Sequence, residues 1–122
     1  MDKTFFTIGS ICCGLAVGLG AFGAHALRAR LDAADLAIFE TGVRYQFYHG
    51  LALLVLALAS QWLAKSSVTP WVGGLFCAGI LLFSGSLYLL VLTNTRWLGA
   101  VTPLGGVCFL LGWAALAWAA TS

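Results

Sequence analysis

The spacing of ionic side chains constrains this chain more than any other feature. It has six basic and four acidic residues. Arg28, Arg30, Asp32, Asp35, Glu40 and Arg44 crowd into one segment, and the others are Asp2, Lys3, Lys65 and Arg96. Between them lie four charge-free stretches, 4–27, 45–64, 66–95 and 97–122. A helix needs about 20 apolar residues to cross ~30 Å of hydrocarbon, so each stretch has room for one crossing and none for two. The reading is all-α: a four-transmembrane-helix bundle with helices at about 4–24, 45–63, 70–92 and 97–120, in a single integral membrane domain over 1–122.

Composition closes the alternatives. Apolar residues make up 61% of the chain and charged residues 8%, against about 25% charged in a soluble domain. A soluble monomer, disorder, a coiled coil and a nucleic-acid-binding surface all need charge that is missing here. The partner the composition demands is the lipid bilayer, and a homo-oligomer or a larger membrane complex is compatible with it.

Local signals refine the boundaries. Trp62, Trp71, Trp97 and Trp118 fall near expected helix ends, where amphipathic rings favour the headgroup region, while Trp113 lies well inside a span. Val68-Thr69-Pro70 and Val101-Thr102-Pro103 each set a cap-forming Thr before a Pro suited to a first helical turn. For the fourth helix this suggests a start or a kink at Pro103, ahead of Gly105-Gly106. The segment 27–44 is too polar to cross yet carries Leu27, Leu31, Leu36, Ile38, Phe39 and Val43. A short amphipathic surface helix, about Asp32 to Glu40, is one reading, and a solvated loop is the other.

Four crossings put both termini on one side. Lys3 and Lys65 then face Arg28, Arg30, Arg44 and Arg96 across the membrane, a count that places the termini outside. Lys3 ahead of the first apolar run argues for the opposite, and Arg44 could be paired with Glu40; cytoplasmic termini are the expectation. Ala24-His25-Ala26 resembles a signal-peptidase site, but 5–22 exceeds the ~7–15 residues of a typical signal core, so the first helix is expected to be retained. Cys12, Cys13, Cys77 and Cys108 lie inside spans without metal or redox spacing and read as packing residues.

Two sets of residues invite a role. Gly14, Gly18 and Gly23, with Gly20, give the first helix the small-residue spacing that lets helices approach closely. Gly74 and Ala78, then Cys108 and Gly112, repeat it later; Ser84, Gly85, Ser86 and Tyr88 form a polar patch in the third helix that reads as packing, as do Thr102, Pro103, Gly105 and Gly106. The second set is His25, Glu40, Arg44, Tyr45, Tyr48 and His49, which the helical repeat gathers at one end of the first two helices. A hydrogen-bonded cluster tying those elements together is the bland reading. A proton relay, a polar substrate site or a haem held by His25 and His49 are sharper alternatives. The bland reading is preferred: no catalytic constellation, metal site or cofactor is expected.

Five blocks then occur in order: Gly20-Ala21-Phe22-Gly23-Ala24-His25, Tyr45-Gln46-Phe47-Tyr48-His49, Leu82-Phe83-Ser84-Gly85-Ser86-Leu87-Tyr88, Thr102-Pro103-Leu104-Gly105-Gly106 and Gly112-Trp113. Together they resemble the small inner-membrane proteins typified by bacterial YgdD, a domain of unknown function with relatives in mitochondria-bearing organisms. The resemblance covers nearly the whole chain and implies a four-helix integral membrane protein without an established reaction. Members often end in a basic tail that would hold the termini in the cytoplasm, and Thr121-Ser122 offers none. The expected function is a non-enzymatic structural or accessory component of a bacterial inner (plasma) membrane, with a small transporter or channel for a proton, ion or small polar solute as the alternative.

Overall fold

In the computed structural model, which describes residues 2–63 and 67–121, the chain forms two antiparallel helical hairpins. Lys65, counted above for orientation, lies outside the described residues. The first helix runs through an α segment, Asp2–Gly18, a π turn, Leu19–Gly23, and a last α turn, Ala24–Leu27. The second is one α-helix, Ala33–Ala59. The third comprises Thr69–Gly79, a π turn Ile80–Ser84, and Gly85–Thr93. A 3₁₀ turn, Arg96–Ala100, leads into the fourth, Thr102–Thr121. The spans Lys3–Leu27, Thr69–Thr93 and Arg96–Thr121 are long and apolar enough to cross a membrane.

The separate surface helix expected between the first two spans gives way to a longer second helix. Asp32 is extended and its carboxylate accepts from the Asp35 N–H at 2.8 Å, which starts the helix where sequence suggested. Nothing ends it at Tyr45. Phe39, Gly42, Gln46, His49, Leu53 and Leu56 are buried at alternating steps of three and four, a stripe that passes through the expected boundary unbroken. Charge density located the surface segment, but the packing stripe decided that it stays helical and continuous with the rest of the second helix.

The Thr-Pro pairs also differ from expectation. Both threonines stand inside their helices, beside Pro70 and Pro103, and neither caps. Thr69 is buried and donates from Oγ1 to the Leu63 carbonyl at 3.0 Å, which links the start of the third helix back to Leu63. At Pro103 the chain starts a new α-helix after the 3₁₀ turn; it does not kink within a continuous one.

The core sits between the second, third and fourth helices. Leu53, Leu56, Val72, Phe76, Ile80 and Phe109 form its centre, and a smaller cluster of Phe39, Leu90 and Val91 lies toward the two hairpin turns. The first helix packs chiefly along the second and adds only Ala16 to the buried apolar residues described. Much of the outer surface is apolar, with Phe22, Leu58, Leu81 and Leu110 each at least 70% exposed. A surface of that kind suits hydrocarbon, not water.

Close approach uses Gly112, which the spacing singled out and whose Cβ would stand 2.6 Å from the Phe76 ring, but it rests as much on glycines the spacing passed over. A Cβ on Gly9 would stand 2.7 Å from the Gly50 carbonyl oxygen, and one on Gly50 would stand 2.8 Å from Cys13 Sγ. Gly105 is pressed against the backbone of Phe83 beside the π turn of the third helix. Gly14, Gly18, Gly85 and Gly106, expected at packing seams, have nothing within 4 Å of where a Cβ would be, whereas Gly23 meets the Phe39 ring at 3.5 Å. Small-residue spacing marks a helix face able to pack, and only the assembled bundle selects which such face is used.

Candidate functional site

The second helix presents polar groups to the bundle interior at three successive levels. At the first, the Gly42 carbonyl accepts from Ser84 Oγ at 2.6 Å, linking it to the third helix where the π turn ends. At the second, Gln46 reaches two helices. Its Nε2 donates to the Cys12 carbonyl of the first helix at 2.8 Å, while its Oε1 accepts from the Tyr88 hydroxyl of the third at 2.7 Å. A buried carboxamide used at both ends in this way is a three-helix tie.

His49 occupies the third level and is 4% exposed. The indole N–H of Trp113, on the fourth helix, lies 3.0 Å from His49 Nε2, and His49 Nδ1 lies 2.9 Å from the Tyr45 carbonyl oxygen. An indole nitrogen can only donate, so Nε2 must accept. The proton of a neutral imidazole is then on Nδ1, where it donates to Tyr45. These two contacts fix one tautomer. The ring also stacks on Phe109, with centroids 3.5 Å apart and planes 10° apart, and meets the edge of Phe76 at 5.4 Å.

A fourth tie joins the third helix to the fourth. Ser86 Oγ donates to the Phe83 carbonyl at 2.9 Å and lies 2.6 Å from Thr102 Oγ1. Among the described residues, no buried side-chain nitrogen or oxygen lacks a partner. Burying a polar group unpaired is costly, so this closed set holds each helix in register with its neighbours.

The six residues expected to cluster around His25 and His49 do not meet at one point. His25 lies in the last turn of the first helix and is exposed, as is Glu40. Arg44 donates to Thr41 Oγ1 at 3.3 Å rather than to Glu40. Tyr45 packs its ring on Phe83 with centroids 4.6 Å apart, and Tyr48 is half exposed. Only His49 enters the core. The helical repeat sets Glu40, Arg44, Tyr45, Tyr48 and His49 on one half of the second helix, but the first helix covers a different strip of it. His25 and His49 therefore do not form a haem-type pair, and no group of three metal-ligating side chains occurs among the described residues.

One ion pair ties the hairpin turns. Arg96 makes a bidentate contact with Asp35, Nη1 to Oδ1 at 2.9 Å and Nη2 to Oδ2 at 2.8 Å, while its Nε donates to Asn94 Oδ1 at 2.8 Å. Asn94 adopts the left-handed conformation that ends the third helix, with φ 54°. The Arg96 guanidinium holds the Asp35 carboxyl below the usual carboxylate range.

A family model described as a protein of unknown function, DUF423, matches residues 19–106, which takes in Gln46, His49, Ser84 and Thr102. The chain belongs to the DUF423 family. It is 47% identical over 111 residues to a UPF0382 membrane protein from a bovine strain of Staphylococcus aureus, covering 91% of this chain and 89% of that one. To the UPF0382 membrane protein YwdK of Bacillus subtilis it is 48% identical over 111 residues, covering 91% and 90%. No solved structure matches it. The relatives are named as membrane proteins, which agrees with the apolar surface of this DUF423 chain.

Sequence reasoning passed over Gln46 and the partner of His49. Both were legible in one respect: Gly42, Gln46, His49 and Leu53 recur at steps of three and four, so they share a face. Trp113 was visible as the one tryptophan away from a helix end. Which acceptor it finds is decided by the docking of the fourth helix.

Proposed function

We propose that this DUF423 member is a non-enzymatic structural or accessory component of the bacterial inner membrane, crossing the bilayer four times with its termini in the cytoplasm. The carrying observation is the use made of the buried polar side chains: Gln46, His49, Thr69, Ser84 and Ser86 all bond to backbone or to side chains of the bundle itself. A transporter or channel would direct such groups at a path for its solute. Here they are spent on cohesion, which favours the structural reading over transport.

The second helix is read as the fourth crossing. Its 27 residues rise about 40 Å, more than the ~30 Å of hydrocarbon, so about two turns after Asp32 project into the headgroup zone. Its polar residues leave it less apolar than the other three, but Gln46 and His49 face inward and Arg44 can snorkel outward. The protein acts as a homo-oligomer or as part of a larger membrane assembly.

Site-directed labelling tests the reading. In a cysteine-free background, Val55→Cys and Leu110→Cys should resist a membrane-impermeant maleimide, whereas Ala34→Cys and Gly99→Cys should react from one and the same side. Ready labelling at 55 or 110 would overturn the four-crossing reading. Reconstituted protein that conducts protons, ions or small metabolites above the liposome background would overturn the structural one.

A further inference from the structure

A groove of about 320 Å³ runs between the first and second helices. Ala16, Gly20 and Ala21 line its first-helix side, and Val43 and Phe47 its second-helix side. It opens where the first helix makes its π turn, Leu19–Gly23. π turns inside α-helices are frequent at functional sites, because the extra residue displaces the helix face locally. Its volume falls within the usual range of small-molecule sites, about 300–1,000 Å³.

We infer that this groove retains one acyl chain of an anionic phospholipid, with the lipid phosphate seated on Arg44. The inference rests on the bilayer-spanning reading above. Among the described residues, Arg44 is the only charged one lining the groove, and Tyr48, half exposed, lines it beside Arg44. Among the described residues, Arg44 makes one hydrogen bond, from Nη2 to Thr41 Oγ1, and no ion pair. A guanidinium carries five N–H donors, so a fork suited to a phosphate remains free. Arg44 lies about one turn inside the hydrocarbon edge if the last 20 or so residues of the second helix span. A charge at that depth requires a counter-charge or a route to water. A second copy of the helix would bury Arg44 against apolar side chains without supplying either. An anionic lipid brings an apolar chain for the groove and a negative charge for its rim in one molecule.

The test uses full-length protein reconstituted in phosphatidylcholine vesicles with a trace of spin-labelled phosphatidylglycerol or spin-labelled phosphatidylcholine. Electron paramagnetic resonance then reads the motionally restricted fraction of each. Wild type should prefer phosphatidylglycerol about fivefold, the size expected for one basic side chain facing an anionic lipid. Arg44→Gln should bring the two lipids to parity, and Ala21→Phe, which fills the groove from an exposed position, should do the same with Arg44 intact. Arg28→Gln, outside the groove, should keep the preference. Parity in wild type, or undiminished preference in Arg44→Gln or Ala21→Phe, would overturn the proposal. So would a wild-type dimer that Ala21→Phe splits without any lipid preference, which would give the groove to a second copy. Protein that alkaline carbonate strips from the vesicles would sink the bilayer reading as well, whereas inserted protein without preference sinks the groove alone.

Discussion

Trp113 and His49 are joined across the bundle by a single N–H···N bond of 3.0 Å, from the fourth helix to the second. Because the indole can only donate, this bond requires an unprotonated Nε2 and a proton on Nδ1. Nitrogen-15 NMR of ring-labelled histidine should therefore show the Nδ1–H tautomer for His49. A protonated Nε2 would contradict the geometry. Trp113→Phe keeps most of the apolar volume and removes the donor, so it should lower unfolding stability in detergent by about 0.6–1.7 kcal/mol, from the average to the maximum for interhelical bonds in membranes.

Gln46 should behave as a junction. Gln46→Leu removes two interhelical bonds together, to the Cys12 carbonyl and from the Tyr88 hydroxyl, and leaves Tyr88 without its partner. The expected loss is about 1–3 kcal/mol, the cost of stranding a buried polar group. Tyr88→Phe should cost less, and the double variant should cost less than the sum of the two. Strict additivity in reversible unfolding would show that the two side chains do not share a bond.

Glycine substitutions should separate the seams in use from those that only look usable. Gly9→Ala puts a methyl 2.7 Å from the Gly50 carbonyl and should destabilise by about 1–3 kcal/mol through overpacking. Gly14→Ala meets nothing within 4 Å and should be neutral or gain up to about 1 kcal/mol from helix propensity. Thermal unfolding of the two variants in one detergent checks the contrast. Equal effects would mean that the first helix packs on another face.

The Arg96–Asp35 pair predicts a pH dependence of definite sign. Asp35 is held low in the folded chain chiefly by its hydrogen bonds to Arg96, so folding favours its ionised form. Its contribution is complete above the ordinary carboxylate range, near pH 4, and is lost as pH falls through the lower folded value. The stability difference between wild type and Asp35→Asn should therefore shrink on acidification, and added salt should also reduce it, since the Arg96 side chain is 53% exposed. A difference that grows in acid would reverse the assignment.

The helical segments were readable because their causes are local. Ionic side chains such as Arg28 and Arg96 interrupt apolar runs, and Thr69-Pro70 marks a helix start within a residue, although its hydroxyl bonds back to Leu63 and does not cap. Charge density sets the surface segment apart from the second helix, because six ionic side chains crowd between Arg28 and Arg44. The stripe from Phe39 to Leu56 carried the stronger signal, that of one uninterrupted packing face.

The amino-acid order alone determined an all-helical chain with an apolar exterior, since hydropathy and charge spacing act residue by residue along the backbone. Partnership was decided only in three dimensions. Gly14 and Gly9 look alike in one dimension, as do His25 and His49, yet in each pair only the second is enclosed. The reason is that a helix offers several faces of similar composition. The rotation at which two helices dock, adjusted here by π turns at Leu19–Gly23 and Ile80–Ser84, depends on contacts between residues far apart in the chain.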